Sequence, residues 1–333
     1  MNGRRTFIRR LALGIVAAPF AAEAQQAGKV WRIGFLYQGQ KIDAAGVLQP
    51  FLEGLRQLGY VEGKTLRVEV WATEGHRENL RPLAAELVRA KPDVIAVISA
   101  GHAAIVQGLT KTLPIVTLSA GELVAFGIVA SLAKPGGNVT GMQVYAPELM
   151  GKRLQILQEV VPSLRRIAVL RRPIRWPPIN FDVYRQATDE PAAKLGIRAR
   201  YVGFDDPAEL PSLFTEMAKE RDDALLVWAN PEISVAMVFE RIRELAIRHR
   251  LPAMHELGFY AQRGGLMAYG PKLEDVRREA AAYVDRIFKG ANPGDLPIGQ
   301  PTTFELVINL KTAKALGLTI PQSVLARADE VIQ

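Results

Sequence analysis

Reactive side chains are few in this chain, and none falls into a familiar catalytic spacing. There is no cysteine, which excludes a thiolate nucleophile, a disulfide framework and a thiolate metal site. His76, His102, His249 and His255 are the available general bases, but they lack metal-ligand spacing. His255-Glu256 has no second histidine four residues after the first, as a zinc helix requires. Ser99 lies in Val97-Ile98-Ser99-Ala100-Gly101, without the first glycine of a nucleophile elbow. Gly136 to Gly141 is glycine-rich but precedes an apolar run, whereas a phosphate-binding loop follows one. No catalytic residue, metal site or cofactor is assigned. A triad of Ser99 or Ser119 with His102 or His255, as in a secreted hydrolase, stays open as an alternative that nothing in the spacing singles out.

The chemistry that remains is that of holding a small molecule. Polar, charged and aromatic residues recur directly after short apolar runs. In the first half of the chain these are Tyr37-Gln38, Ser99-Ala100-Gly101-His102, and Ser119 with Gly121-Glu122. In the second half they are Arg171, Asn230 with Glu232, His255, and Tyr269. A few convergent polar groups beside aromatic walls is the composition of a small-molecule site. Ser99, with the N–H groups of the helix that follows it, suits a carboxylate. Glu122 or Glu232 suits an ammonium, and Tyr37, Trp228 or Tyr269 suits an apolar or aromatic side chain.

The elements that must carry these residues form a repeated series. Arg32 to Leu36 reads as a buried strand, Val47 to Gly59 as an amphipathic helix ending on a glycine cap, and Thr65 to Val70 as a second strand. Asn79 to Arg89 is a second helix, Val94 to Ile98 a third strand, and Leu113 to Leu118 a fourth. The order then recurs. Arg166 to Leu170 echoes Arg32 to Leu36, Gly196 echoes Gly59, Asp223 to Ala229 echoes Asp93 to Ser99, and Leu251-Pro252 echoes Leu113-Pro114. Arg32 to Asp93 spans 61 residues and Arg166 to Asp223 spans 57. Such alternation predicts parallel sheets with crossover helices, and two copies predict two doubly wound, Rossmann-like α/β lobes. Strands over Gly265–Tyr269 and Thr303–Ile308 and a long helix over Leu273–Phe288 repeat nothing. They finish the lobes, so the chain crosses between them more than once and leaves a cleft.

Arg4, Arg5, Arg9 and Arg10, the apolar run Leu11 to Ala22 and Ala22-Glu23-Ala24 have the layout of a secretory signal peptide over residues 1–24, cleaved near Ala24. Arg4-Arg5-Thr6-Phe7-Ile8-Arg9 also suits twin-arginine export. No cysteine stands at the cleavage point to take a lipid. A periplasmic, monomeric chain is expected. Of the net charge of +8, the four arginines and Glu23 of residues 1–24 hold +3, leaving +5 on the remainder. That charge is scattered among acids without a basic stripe, which argues against nucleic acid as a partner.

Longer stretches resemble a known family. Arg32 to Leu36, Phe51 to Gly63, Ala133 to Gly141, Met267 to Pro271 and Asn309 to Pro321 look like the ABC-transporter substrate-binding proteins related to the tryptophan-binding TrpX type. The resemblance implies a type I periplasmic-binding-protein fold with three crossovers between the lobes. It implies a small solute, plausibly an amino acid, clamped between them, and a permease and an ATPase of the inner membrane as partners. Lobe 1 is then expected over 29–142 plus 266–298, and lobe 2 over 143–265 plus 299–330. Two tips depart from the family. Gly121-Glu122-Leu123-Val124 stands where relatives have Gly-Asp-Pro-Val, and Arg171-Arg172-Pro173 where they have Asn-Pro. A ligand sensor that docks on a membrane receptor would present the same sequence.

Overall fold

The computed structural model describes residues 29–172, 182–229, 233 and 236–333. The expected signal peptide, Asn230 and Glu232 lie outside these residues.

The first sheet holds β1 (Trp31–Tyr37), β2 (Leu66–Ala72), β3 (Val94–Val97), β4 (Ile115–Ala120) and β5 (Val139–Gln143), all parallel, in the order β2-β1-β3-β4-β5. Its short strands are buried on both faces, as their unbroken apolar runs require. Alternate residues go to opposite sides. Ile33, Phe35, Val94 and Ala96 meet α1 (Lys41–Gln57), while Leu36, Ile95 and Val97 meet α2 (Leu80–Ala90) and α3 (Ala100–Leu109). Helix α1 buries Leu48, Phe51 and Leu55 along one stripe. Each such side chain removed from water contributes roughly 1.5–3 kcal/mol before the entropy of ordering is counted.

The second sheet holds β6 (Arg166–Arg171), β7 (Arg198–Gly203), β8 (Ala224–Val227), β9 (Ala253–His255), β10 (Met267–Pro271), β11 (Phe304–Asn309) and β12 (Glu330–Ile332). Their order is β12-β11-β10-β9-β8-β6-β7, with β10 and β11 antiparallel. One face packs on α4 (Met150–Val160), α5 (Asp182–Lys194) and α10 (Leu310–Leu316). The other packs on α6 (Leu210–Lys219) and α7 (Ala236–Arg248). Between β9 and β10 lies α8 (Gly258–Gln262).

The internal repeat holds at the level of single bonds. Arg32 N donates to Asp93 Oδ2 (2.8 Å) and accepts at its carbonyl from Asp93 N (2.9 Å). Arg166 and Asp223 repeat both bonds, each at 2.9 Å. Pro114 O and Pro252 O accept from Ile95 N and Leu225 N. The helix ends Gly59 (φ +93°) and Gly196 (φ +69°) both take the left-handed conformation that glycine adopts without steric penalty.

The lobes are joined three times, at 144–146, at 272 and at 300–303. The first and third crossings run side by side, with Gln143 N donating to Gly299 O (2.9 Å) and Gly299 N to Gly141 O (2.8 Å). A side chain on Gly299 would collide with Met142 Sδ and Tyr283 Oη, so glycine is what lets these strands touch. One expected boundary moves. The strand anticipated at the start of 266–298 belongs to the second sheet, because Met267 and Ala268 register with Met254 and His255 of β9. The chain returns to the first lobe only at α9 (Leu273–Phe288), whose Val276, Ala280, Ala281, Val284 and Phe288 complete the core beneath α1.

Candidate functional site at the lobe junction

In a parallel sheet the carboxyl ends of the strands form the open edge where ligands collect. The first lobe presents Tyr37-Gln38 after β1, Ser99 after β3, Gly121-Glu122 after β4 and Val144-Tyr145 after β5. The second presents Arg171-Arg172 after β6, Trp228-Ala229 after β8, Glu256 after β9 and Tyr269-Gly270-Pro271 at the end of β10.

Ser99, Ala100, Gly101 and His102 open α3. Ser99 Oγ accepts from His102 N (3.1 Å), an N-cap that leaves the N–H groups of Ala100 and Gly101 outside the helical ladder. The structure brings Gln38 to this turn, its Oε1 lying 3.5 Å from His102 Nε2. Burial pushes the His102 imidazole down to about 4, with nearby Arg77 adding to the shift. Its Nδ1 meets no hydrogen-bond partner among the described residues. Ser99 thus caps the helix, and among the described residues no acid hydrogen-bonds the His102 ring. The Ser–His hydrolase arrangement is not built here.

Ser119 is buried within β4. Gly121 leads into Glu122, whose Oε1 accepts from Val124 N (2.8 Å) and Ala125 N (3.2 Å). Tyr37 ends β1, packed on Phe35. Arg171 and Arg172 lie alongside the end of β7. Arg171 lies over Gly203, and Arg172 Nη2 donates to Asp205 O (3.1 Å). His255 is not at a tip. Strand alternation turns it away from Met254 and Glu256, between the rings of Phe239 (5.6 Å) and Tyr260 (5.1 Å), where burial drives its imidazole down to about 3. Tyr269 is half-buried against the core of lobe 2.

The residues that knit the second edge together escaped the sequence reading. Arg153 of α4 has a side chain only 3% exposed. Its Nε donates to Tyr269 O (2.8 Å) and its Nη1 to Glu256 Oε1 (2.9 Å), while Glu256 Oε2 accepts from Ala229 N (2.7 Å). One ion pair thereby fixes the ends of β8, β9 and β10 against each other. The available signal was that Arg153 stands on the apolar stripe of Leu149, Ile156 and Val160, where a charge needs a partner.

Over this bracket lies a set of rings. Tyr145, on the first crossing, is 4.8 Å from Tyr184 between centroids; Tyr184 is 5.2 Å and Tyr201 5.6 Å from Trp228. Burial holds the Tyr145 phenol well above its usual pKa, and Glu122 of one lobe and Glu256 of the other push it the same way. Its Oη is shut off from solvent with no hydrogen-bond partner among the described residues. Tyr145 is therefore where both lobes and the crossing meet.

Two doubly wound lobes, three crossings and strand ends facing one another define the class: a type I periplasmic-binding-protein fold. The chain belongs to the ABC transporter substrate binding protein family, whose model matches residues 43–332. Proteins of this family, like the curated tyrosine-binding relative below, are binding proteins rather than enzymes. Among solved structures it is similar to a Streptococcus pneumonia ABC domain in complex with L-Trp. That pair shares 24% identity and a TM-score of 0.80 over 91% of this chain and 99% of that one. A conserved domain protein of Vibrio cholerae shares 27% identity and a TM-score of 0.80, over 91% and 100%. The curated "Tyrosine-binding protein" of Clostridioides difficile (strain R20291) is 23% identical over 274 residues, 80% of this chain and 75% of that protein. Among the described residues, no group of three or more His, Asp or Glu side chains is arranged to hold a metal, and no helix is long and apolar enough to cross a membrane.

Proposed function

We propose that this protein is the extracytoplasmic receptor of an ABC importer, that it closes its two lobes on an aromatic amino acid, and that it delivers the solute to a membrane permease driven by an ATPase. One observation carries the reading: the ring set Tyr145–Tyr184–Trp228 sits at the lobe junction with Glu122 and Glu256 in electrostatic reach of it. Rings supply a wall for an aromatic side chain, and Glu122, the acid not held by an arginine bracket, supplies the partner for an ammonium. Ser99 with the free N–H groups at the start of α3, and Gln38 beside it, form the facing wall of lobe 1. The relatives that bind L-Trp or tyrosine support this solute class.

The test is a thermal-shift screen of the twenty amino acids followed by calorimetry. L-tryptophan or L-tyrosine is expected to raise the melting temperature and to bind 1:1, because a ligand held only by the folded state stabilises it by mass action. If no amino acid moves the midpoint, the solute class is wrong. Cell fractionation with N-terminal sequencing checks the location, and is expected to find the mature chain in the periplasm, beginning just after Ala24. Uptake of labelled solute, lost on deleting this gene and the permease gene alike, separates an importer component from a sensor.

A further inference from the structure

We propose that Arg277 is the anion-recognition group of the cleft, its guanidinium edge taking a carboxylate of the bound solute beside Tyr37. This rests on the reading that the cleft binds a solute, and it adds the chemistry of one end of that solute.

Arg277 lies near the start of α9, immediately after the crossing at 272. It is part-buried, its Nε closed to solvent, yet it makes no hydrogen bond or ion pair with any described residue. Arginines in comparable settings are all matched. Arg153 holds Glu256, Arg200 holds Asp222 and Glu216, and Arg278 holds Asp275 and Glu53. The acids near Arg277 are otherwise placed. Asp275 is taken by Arg278 and by Thr303 Oγ1, and Glu274 is exposed and not within ion-pair distance. A partly desolvated guanidinium without an acid is costly unless an anion reaches it.

Its position says which anion. Arg277 is in electrostatic reach of Tyr37, the last residue of β1, and so is Arg263, which follows α8 of the other lobe. Asp43 is the acid in reach of Tyr37, and it is exposed on α1. The corner thus lies at the cleft edge, between the lobes, with two arginines and two exposed carboxylates, Asp43 and Glu274, neither of them in an ion pair with Arg277. The register Leu36↔Val97 sets Gln38 beside Ser99, so the start of α3 adjoins the same corner. The planar fork of Arg277 matches a carboxylate through two parallel N–H bonds, and phosphate, which the fork also matches, is the competing anion.

The experiment uses matched pairs on the full mature chain: L-tryptophan and tryptamine, L-tyrosine and tyramine, glutarate and 1,5-diaminopentane, with inorganic phosphate added. Wild type, R277K and R277Q are compared by thermal shift and calorimetry. Wild type is expected to bind the best carboxylate at least ~100-fold more tightly than its amine. R277Q is expected to lose ~30-fold or more for the carboxylate and nothing for the amine, with R277K between. The unliganded R277Q protein should melt no lower than wild type, which a purely structural arginine would not allow. Binding of glutarate but not of the aromatic acids, lost in R277Q, would uphold Arg277 and overturn the aromatic solute class. The proposal is overturned if R277Q binds the best carboxylate as wild type does, if amines bind as tightly as acids, if phosphate outcompetes every carboxylate, or if no carboxylate binds.

Discussion

Replacing Glu256 by Gln removes one charge from the bracket beneath the ring set and leaves its shape almost intact. The carboxylate takes Arg153 Nη1 on one oxygen and Ala229 N on the other. In Gln one of those oxygens becomes an NH2 group, so a donor faces a donor, and the Arg153 guanidinium, only 3% exposed, loses its counter-charge. Orphaning one member of a buried ion pair costs about 3–5 kcal/mol. Glu256 is 14% exposed, which places the expected loss near the lower end, at about 3 kcal/mol. Arg153→Met with Glu256→Gln removes the stranded charge and fills its space, leaving the amide oxygen for Ala229 N–H. The double variant is therefore expected to be more stable than Glu256→Gln alone by about 1–2 kcal/mol, although it carries one more substitution. Urea unfolding followed by tryptophan emission and far-ultraviolet circular dichroism together reads both. A Glu256→Gln loss below ~1 kcal/mol, or a double variant weaker than the single one, would refute the idea that this pair ties the strand ends together.

Three other outcomes follow from the same geometry. Because His102 and His255 titrate near 4 and 3 in the folded chain and near 6.5 unfolded, the unfolded state takes up protons first as pH falls. Their stabilisation is present above pH ~6.5 and is lost as pH falls toward 4 for His102 and 3 for His255, about 2 kcal/mol each by pH 5, so urea midpoints at pH 7.5 and 5 should differ and the gap should shrink in His255→Phe. Gly299→Val drives a side chain into Met142 and Tyr283 at the paired crossings and should cost roughly 1–3 kcal/mol, measured as a lower melting temperature. Glu122→Gln should weaken binding of L-tryptophan by about tenfold or more while leaving the unliganded melting temperature within a degree or two, since Val124 N and Ala125 N keep an acceptor.

The architecture was largely legible because period and punctuation are local signals. Asp93 and Asp223 precede equivalent strands and make the same bonds to Arg32 and Arg166, so matching the two segments located both lobes. The lobe assignment of Met267–Pro271 was not legible, because an apolar run states that it is buried and not beside which strand it lies. The site was readable only in part. Strand ends could be found by counting, which brought Gln38, Ser99, His102 and Glu122 to the edge. Which neighbour turns inward depends on strand parity, which is why His255 faces Phe239 and Tyr260 while Glu256 takes the tip. Tyr145 and Arg277 acquire their positions from crossings that bring residues far apart in sequence to one corner.

The central claim is that an amino-acid solute closes two lobes about the junction at Tyr145. Small-angle X-ray scattering of the mature protein, recorded during a calorimetric titration with L-tryptophan and with L-tyrosine, tests it most directly. Saturation at one solute per chain is expected together with a fall in the radius of gyration, both lost in Tyr145→Ala. A radius that stays constant while solute binds, or no binding of either amino acid at millimolar concentration, would contradict it.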